Sequence, residues 1–303
     1  MKKLLGILVL SLLNVVNSYA IDITTKKTKN HHLTAKPSKD HYKINRETVR
    51  AGDQSQKFIL SHGSCNKQDC KWSAQRSERE LKISHKSKKK VGTAVYYAWS
   101  IYLPKEFEVS WAGSKMIIGQ VKMKGVGMPI WEMHTRGAGF HIRASHSIVK
   151  AKLYCGRFKK GEWTDIIIKA DYAKEKSVDK KYKFFETWIN GKYIDSCVHN
   201  YPLVKKKTFK ESNSNVGSSA GKLTFRYGIY RPNIGAWLER SNKNKPKKIK
   251  YFDDPDGGER VITHPFKLDW EFKIPTSIIY YDEIRVGNSK DEVDITMQNK
   301  PVD

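Results

Sequence analysis

The sequence predicts a single-domain, all-β protein, an antiparallel sandwich of jelly-roll type. Three observations carry this expectation. From about Arg46 onward, short segments rich in Val, Ile, Tyr, Phe and Trp follow one another with turn residues between them. Several of these segments alternate. In "GFHIRA", Phe140, Ile142 and Ala144 fall on one face, and His141, Arg143 and Ser145 on the other. No segment sustains a helical period.

Taken in order, the chain opens with a basic "MKK", an apolar "LLGILVLSLLNVV" and a small-residue end at Ser18 and Ala20. That is the pattern of a secretory signal peptide over residues 1–20, cleaved after Ala20. Its apolar run is short for a membrane span, and no later run is longer, so no transmembrane anchor is expected. Residues 21–45 are polar and basic with little periodicity, and read as a flexible leader. The sandwich then occupies residues 46–290. Its strand candidates include "AVYYAWSIYLP", "SKMIIGQVKM", "GAGFHIRAS", "WTDIIIKADY", "KLTFRYGIYRP" and "IIYYDEIRVG". In "WINGKYI", Asn190-Gly191 between two apolar arms is a strong signal for a two-residue hairpin. Residues 232–275 are less regular and read as a long insertion across one end of the sandwich, and residues 291–303 as a C-terminal tail.

Charge and cysteines bound the setting. The 303 residues hold 57 Lys+Arg against 31 Asp+Glu, a net charge of +26, which calls for an anionic partner. For an exported chain, periplasmic or secreted, that partner is expected to be an anionic polysaccharide or an anionic membrane surface, and not nucleic acid. The four cysteines suit two disulfides in an oxidising compartment. Three connectivities exist. The short spacing favours Cys65–Cys70, which leaves Cys155–Cys197. A zinc site lacks the usual close ligand pairs.

Three stretches carry polar rows. In "QRSERE", Arg76, Glu78 and Glu80 alternate with Ser77 and Arg79. In "IIGQVK", Gln120 and Lys122 share a face opposite Val121, and in "FRYGIYRP", Arg226, Gly228 and Tyr230 share one. A concave sheet that binds sugar needs such rows. Taken singly, each also has a plain reading as an ion pair, a strand cap or half-buried packing.

Together they resemble a known set. An R-S-E motif, a Q-x-H motif and a K/R-x-G-x-Y motif, in this order, mark jelly-roll polysaccharide lyases that cleave alginate, glucuronan and heparin. The surrounding "FILSHGSCNKQDC", "YYAWSIYLP", "GEWTDIIIKADY" and "TWINGKYI" most resemble the heparin lyase I and glucuronan lyase group, over residues 46–290. The resemblance implies a concanavalin-like jelly roll, a monomer, and cleavage of a uronic-acid polymer by β-elimination. That chemistry neutralises the C5 carboxylate, removes the C5 proton and protonates the leaving O4. By motif, Arg76 and Gln120 hold the carboxylate and Tyr230 carries the proton. Arg226 helps to hold substrate and favours the tyrosinate, while Glu78 orients Arg76 or Arg79.

The sequence departs from the family at one position: Lys122 stands where Q-x-H has histidine. Lysine suits a carboxylate or sulfate better than it suits a base. Tyr230 then serves as both base and acid, or His134 in "WEMH" or His141 in "FHIRA" replaces the missing histidine. Lys122 and Arg143 join the substrate-binding set. The rival functions are a non-catalytic binding protein for anionic polysaccharide and a hydrolase using Glu132 and Glu186. No cofactor is required by these residues, and the metal ligands are not defined. The resemblance implies a structural calcium, with Asp282 and Glu283 as candidates; the acidic Asp253, Asp254 and Asp256 fall short of a full calcium loop and read first as a solvated turn.

Overall fold

The structure, a computed structural model, describes residues 19–20, 31–33, 40–61, 64–66, 69, 74–86, 94–107, 116–136, 139–147, 149–173, 181–205, 222–232, 250–254, 258–262 and 275–297. In chain order the strands begin with β1 (Tyr19–Ala20), β2 (His31–Leu33), β3 (Tyr42–Asn45) and β4 (Ser55–Leu60). β5 (Gln75–Lys86), β6 (Ala94–Tyr102), β7 (Met116–Met123) and β8 (Trp131–Arg136) follow. Then come β9 (Gly139–Ala144), β10 (Ala151–Arg157), β11 (Trp163–Asp171), β12 (Phe185–Ile189) and β13 (Lys192–Tyr193). The last are β14 (Lys222–Arg231), β15 (Lys250–Asp254), β16 (Gly258–Ile262) and β17 (Ser277–Gly287), then one short helix, α1 (Lys290–Val293).

These strands form two large antiparallel sheets and a hairpin. The back sheet runs β13-β12-β11-β6-β17-β4-β3, with β1 also on β17. The front sheet runs β10-β9-β8-β7-β14-β5-β2. Sequence neighbours are interrupted by distant strands at β6-β17-β4 and β7-β14-β5, the long returns expected of a jelly roll. Among the described residues β15 and β16 pair with each other and with no further strand, so part of the irregular region 232–275 is a hairpin.

The period-2 pattern packs as the sequence predicts. Phe225 and Tyr227 of β14, Val121 of β7 and Trp131 of β8 face inward from the front sheet. Phe58, Tyr97, Trp99 and Tyr281 meet them from the back. The rings touch across the layer: Tyr97 lies 5.5 Å from Trp131, and Trp99 lies 5.0 Å from Phe225, centroid to centroid. The tips of Trp131, Tyr172 and Tyr97 are matched to one another, as burial demands. Trp131 Nε1 donates to the Tyr172 hydroxyl at 2.7 Å, which sits 2.9 Å from the Tyr97 hydroxyl. Asn190 and Gly191 both have positive φ, 48° and 77°, at the β12–β13 turn, as an Asn-Gly hairpin requires.

Two boundaries differ from the sequence reading. The leader was expected to reach Asn45, but Tyr42–Asn45 is a strand paired with β4 and His31–Leu33 pairs with β5. His41 is buried and its carbonyl accepts from the Ser77 hydroxyl at 2.8 Å. Polar side chains hid these strands, because hydrogen bonds to a sheet edge need no apolar period. At the other end, the expected tail begins inside α1. Val293 packs with Ala98 and Ile167 on the outer face of the back sheet.

Cys155 and Cys197 form the expected disulfide. Cys65 is also disulfide-bonded, and its expected partner Cys70 lies outside the described residues. Of the calcium candidates, Asp282 accepts at Oδ2 from the Arg50 amide (2.7 Å) and at Oδ1 from the Glu283 amide (2.8 Å). Glu283 pairs with Arg285. Asp253 and Asp254 lie on β15, and Asp256 falls outside the described residues.

Candidate active site

The front sheet makes β5, β14 and β7 neighbours, so the three polar rows come side by side on its outer face. Tyr230 stands opposite Arg76, Gly228 opposite Glu78, and Arg226 opposite Glu80. Across the other edge of β14, Arg226 stands opposite Gln120 and Thr224 opposite Lys122.

Gly228 sets how closely these strands pack. Its φ is +126°, and a Cβ there would lie 2.3 Å from the Ser77 carbonyl oxygen and 2.9 Å from the Glu78 Cα. No other residue fits without prising β14 from β5, which is the physical content of the glycine in K/R-x-G-x-Y. The ladder between β14 and β7 shifts register between Tyr227 and Tyr230, and β7 shifts against β8 between Ile117 and Gly119. The buried Tyr281 hydroxyl reaches both irregular places, 2.7 Å from the Gly228 carbonyl and 2.9 Å from that of Ile118. The bulges put Ile117 level with Tyr230, and His134 level with Ile117.

Glu78 is the hub. Only 1% exposed, it accepts from Gln120 Nε2 at 2.7 Å and pairs with Arg76 at 3.4 Å. Arg76 also pairs with Asp69 at 3.1 Å, and its guanidinium carbon lies 4.1 Å from the centroid of the Tyr230 ring. Burial opposes the Arg76 charge, but Glu78, Tyr230 and Asp69 outweigh it and hold its pKa above the ordinary value. Asp69 is pushed up by burial, against the pull of Arg76 and a neighbouring amide. The same layering recurs along the face. Glu80 pairs with Arg226, and Glu132, 1% exposed, lies 3.7 Å from Arg143. Carboxylates lie beneath, and the guanidiniums above them reach towards solvent. This explains the charge density of "QRSERE": acids fix arginines in a donor layer on the sheet surface.

Sequence reasoning grouped Arg76, Glu78, Gln120, Arg226 and Tyr230, and the structure brings these five side by side. Glu78 serves Arg76 and not Arg79, which points inward to the Tyr42 hydroxyl (2.6 Å) and to Gln56 (3.1 Å). Lys122 sits two residues beyond Gln120, on the side away from the Tyr230 level, so the Q-x-H slot does not face the phenol. His134 shares the Tyr230 level, and His141 stacks beside it, with centroids 5.5 Å and planes 14° apart. Glu132 and Glu186 do not pair. Glu132 lies on the front sheet, whereas Glu186 binds Lys169 and Tyr193 on the outside of the back sheet. Asp69 was missed, because a loop between two cysteines gives no periodicity from which to read that it reaches Arg76.

Comparison with known proteins decides the family. A family model described as polysaccharide lyase matches residues 22–256. The chain belongs to the polysaccharide lyase family. It is an enzyme of that class, and the motifs that singled out its front sheet lie inside the matched segment. No curated protein sequence matches the lyase. Among solved structures, an endo-β-1,4-glucuronan lyase from the fungus Trichoderma reesei is similar, at TM-score 0.55 and 13% identity, covering 88% of this chain and 94% of that one. An alginate lyase of polysaccharide lyase family 7 gives 0.46 and 12%, covering 86% and 94%. The catalytic domain of a glycoside hydrolase family 131 protein from Coprinopsis cinerea gives 0.48 and 9%, covering 87% and 85%. The first of these likenesses establishes the jelly-roll fold of the lyase.

Proposed function

We propose that this lyase is exported and cleaves a densely charged uronic-acid polymer by β-elimination, within the heparin lyase I and glucuronan lyase group. The observation that carries the reading is the join at Arg76. Its guanidinium lies over the Tyr230 ring while Glu78 ties it to the Gln120 amide. A substrate carboxylate placed there meets a cation and an amide donor at the atom where charge builds. Neutralising that carboxylate makes the C5 proton removable. The C5–H bond then breaks, its electron pair forms the C4–C5 double bond, and the C4–O4 bond breaks. Tyr230 delivers the proton that O4 needs. His134, on the same level, takes the C5 proton in this scheme, with Lys122 left to the binding of polymer charge. The scheme needs no second copy of the chain, and no step is routed through a cofactor. The signal-peptide pattern and the disulfide support export. The glucuronan lyase likeness makes polyglucuronate the first polymer to try.

Mass spectrometry of the products tests the chemistry. Elimination gives one fragment lighter by a water molecule than hydrolysis would. Products of the hydrolytic mass would overturn the reading.

A further inference from the structure

Two rows run from the reacting centre to the edge of the front sheet. One joins Tyr230, Ile117, His134, His141 and Tyr154, each opposite the next on adjacent strands. The other joins Arg226, Gln120, Glu132, Arg143 and Lys152 in the same way. Each crosses four strand spacings, roughly 19 Å. The rows end on β10, an edge strand with an unusual surface. Tyr154 is 46% exposed, one of the few large apolar side chains so open among the described residues, and its ring lies 5.2 Å from His141. Lys152, two residues earlier on the same face, is exposed too.

We infer that β9 and β10 form a distal sugar subsite, in which Tyr154, backed by the His141 ring, stacks on a sugar face while Arg143 and Lys152 grip carboxylates or sulfates. The occupant is the unreacted run of the same anionic polymer, and the inference rests on the function proposed above. A uronic-acid chain has apolar C–H faces and charged edges. The Tyr154 ring beside the Arg143 and Lys152 cations fits that division, and the two rows lead back to Tyr230 and Gln120 beside Arg76. The strand is also pinned. Cys155, next to Tyr154, is bonded to Cys197, and the Ser196 hydroxyl donates to the Tyr154 carbonyl at 2.7 Å. A subsite on an edge strand needs such anchoring to hold its geometry.

The subsite makes binding depend on chain length. The test uses Tyr154→Ala and Lys152→Ala beside Lys43→Ala, which removes an equal charge from the back sheet. Retardation in native gels cast with polyglucuronate, alginate or heparin reports binding, and double-bond absorbance reports elimination. The subsite predicts that each front variant weakens binding to the best-retained polymer roughly tenfold, about 1.4 kcal/mol. It also predicts that KM rises on long chains but not on fragments too short to reach β10, and that Lys43→Ala behaves as wild type. Equal behaviour of all three variants overturns the subsite, as does a wild-type chain retarded by none of the polymers. Retardation that the front variants lose, with no double bond formed by wild type, refutes elimination and keeps the subsite.

Discussion

Tyr230 and Arg76 show how single side chains are fixed by what lies beneath them. The phenol faces a guanidinium that Glu78 and Asp69 hold from below, so in the proposed mechanism neither Arg76 nor Gln120 must reorganise when substrate charge develops. Asp282 is governed by burial elsewhere in the sandwich. Burial raises its pKa from 3.8 to about 7, only partly offset by the Arg50 and Glu283 amides that it accepts from. Between those values the folded chain keeps a proton that the unfolded chain has released. Stability therefore falls as the pH rises from 3.8 to about 7 and levels off above. Asp282→Asn keeps an acceptor and cannot ionise. Urea midpoints at pH 5 and pH 8 will differ less in this variant than in wild type. An unchanged difference would show that Asp282 does not set the slope.

At the scale of strands, the bulged contact of β14 with β5 and β7 decides whether the site exists. Gly228→Ala puts a methyl group 2.3 Å from the Ser77 carbonyl oxygen, inside any allowed contact, on a backbone at positive φ. We expect a loss of stability of about 1–3 kcal/mol, as for strained or overpacked positions. Elimination should fall further than the fraction unfolded explains, because Tyr230 and Glu78 flank the displaced strand. Thermal melts and rates on the same samples will separate the two effects, and wild-type rates in a folded variant would contradict the role given to this glycine. This level is also where the sequence was partly legible. Alternation in "GFHIRA" and the face shared by Arg226 and Tyr230 were readable, because period 2 survives in the letters. The bulges at Ile118 and Gly228 were not, and they place His134, and not Lys122, level with the phenol. Nor were β2 and β3 legible, or the inward arginines Arg79 and Arg231. Arg231 is 0% exposed, bonded to Gln75 and Ser277, and its pKa is lowered by burial to about 9. A charged letter ordinarily signals the surface, and only the assembled partners reverse that reading.

Across the whole molecule, the net charge of +26 and the layered arginines make attraction to a polyanion strong and salt-dependent. With a screening length of about 8 Å at physiological ionic strength, exposed cations lose most of their pull as salt rises, while the buried pairs at Glu78 lose little. KM should therefore climb several-fold, on the order of tenfold, between low and high salt. The kcat at saturating polymer should change far less. Initial rates across a salt series will show this, and a salt-dependent kcat at constant KM would point instead to a charged step in the chemistry. The central claim is elimination at Tyr230. Its most direct measurement is ultraviolet absorbance during incubation with polyglucuronate, alginate, heparin, heparan sulfate, hyaluronan and chondroitin, for wild type and Tyr230→Phe in parallel. The conjugated double bond beside the carboxylate absorbs where intact polymer does not. The account predicts rising absorbance on at least one polymer with wild type, and a rate about 10²–10⁴-fold lower in the folded phenylalanine variant. A flat wild-type trace on every polymer, or equal rates for the two proteins, would contradict it.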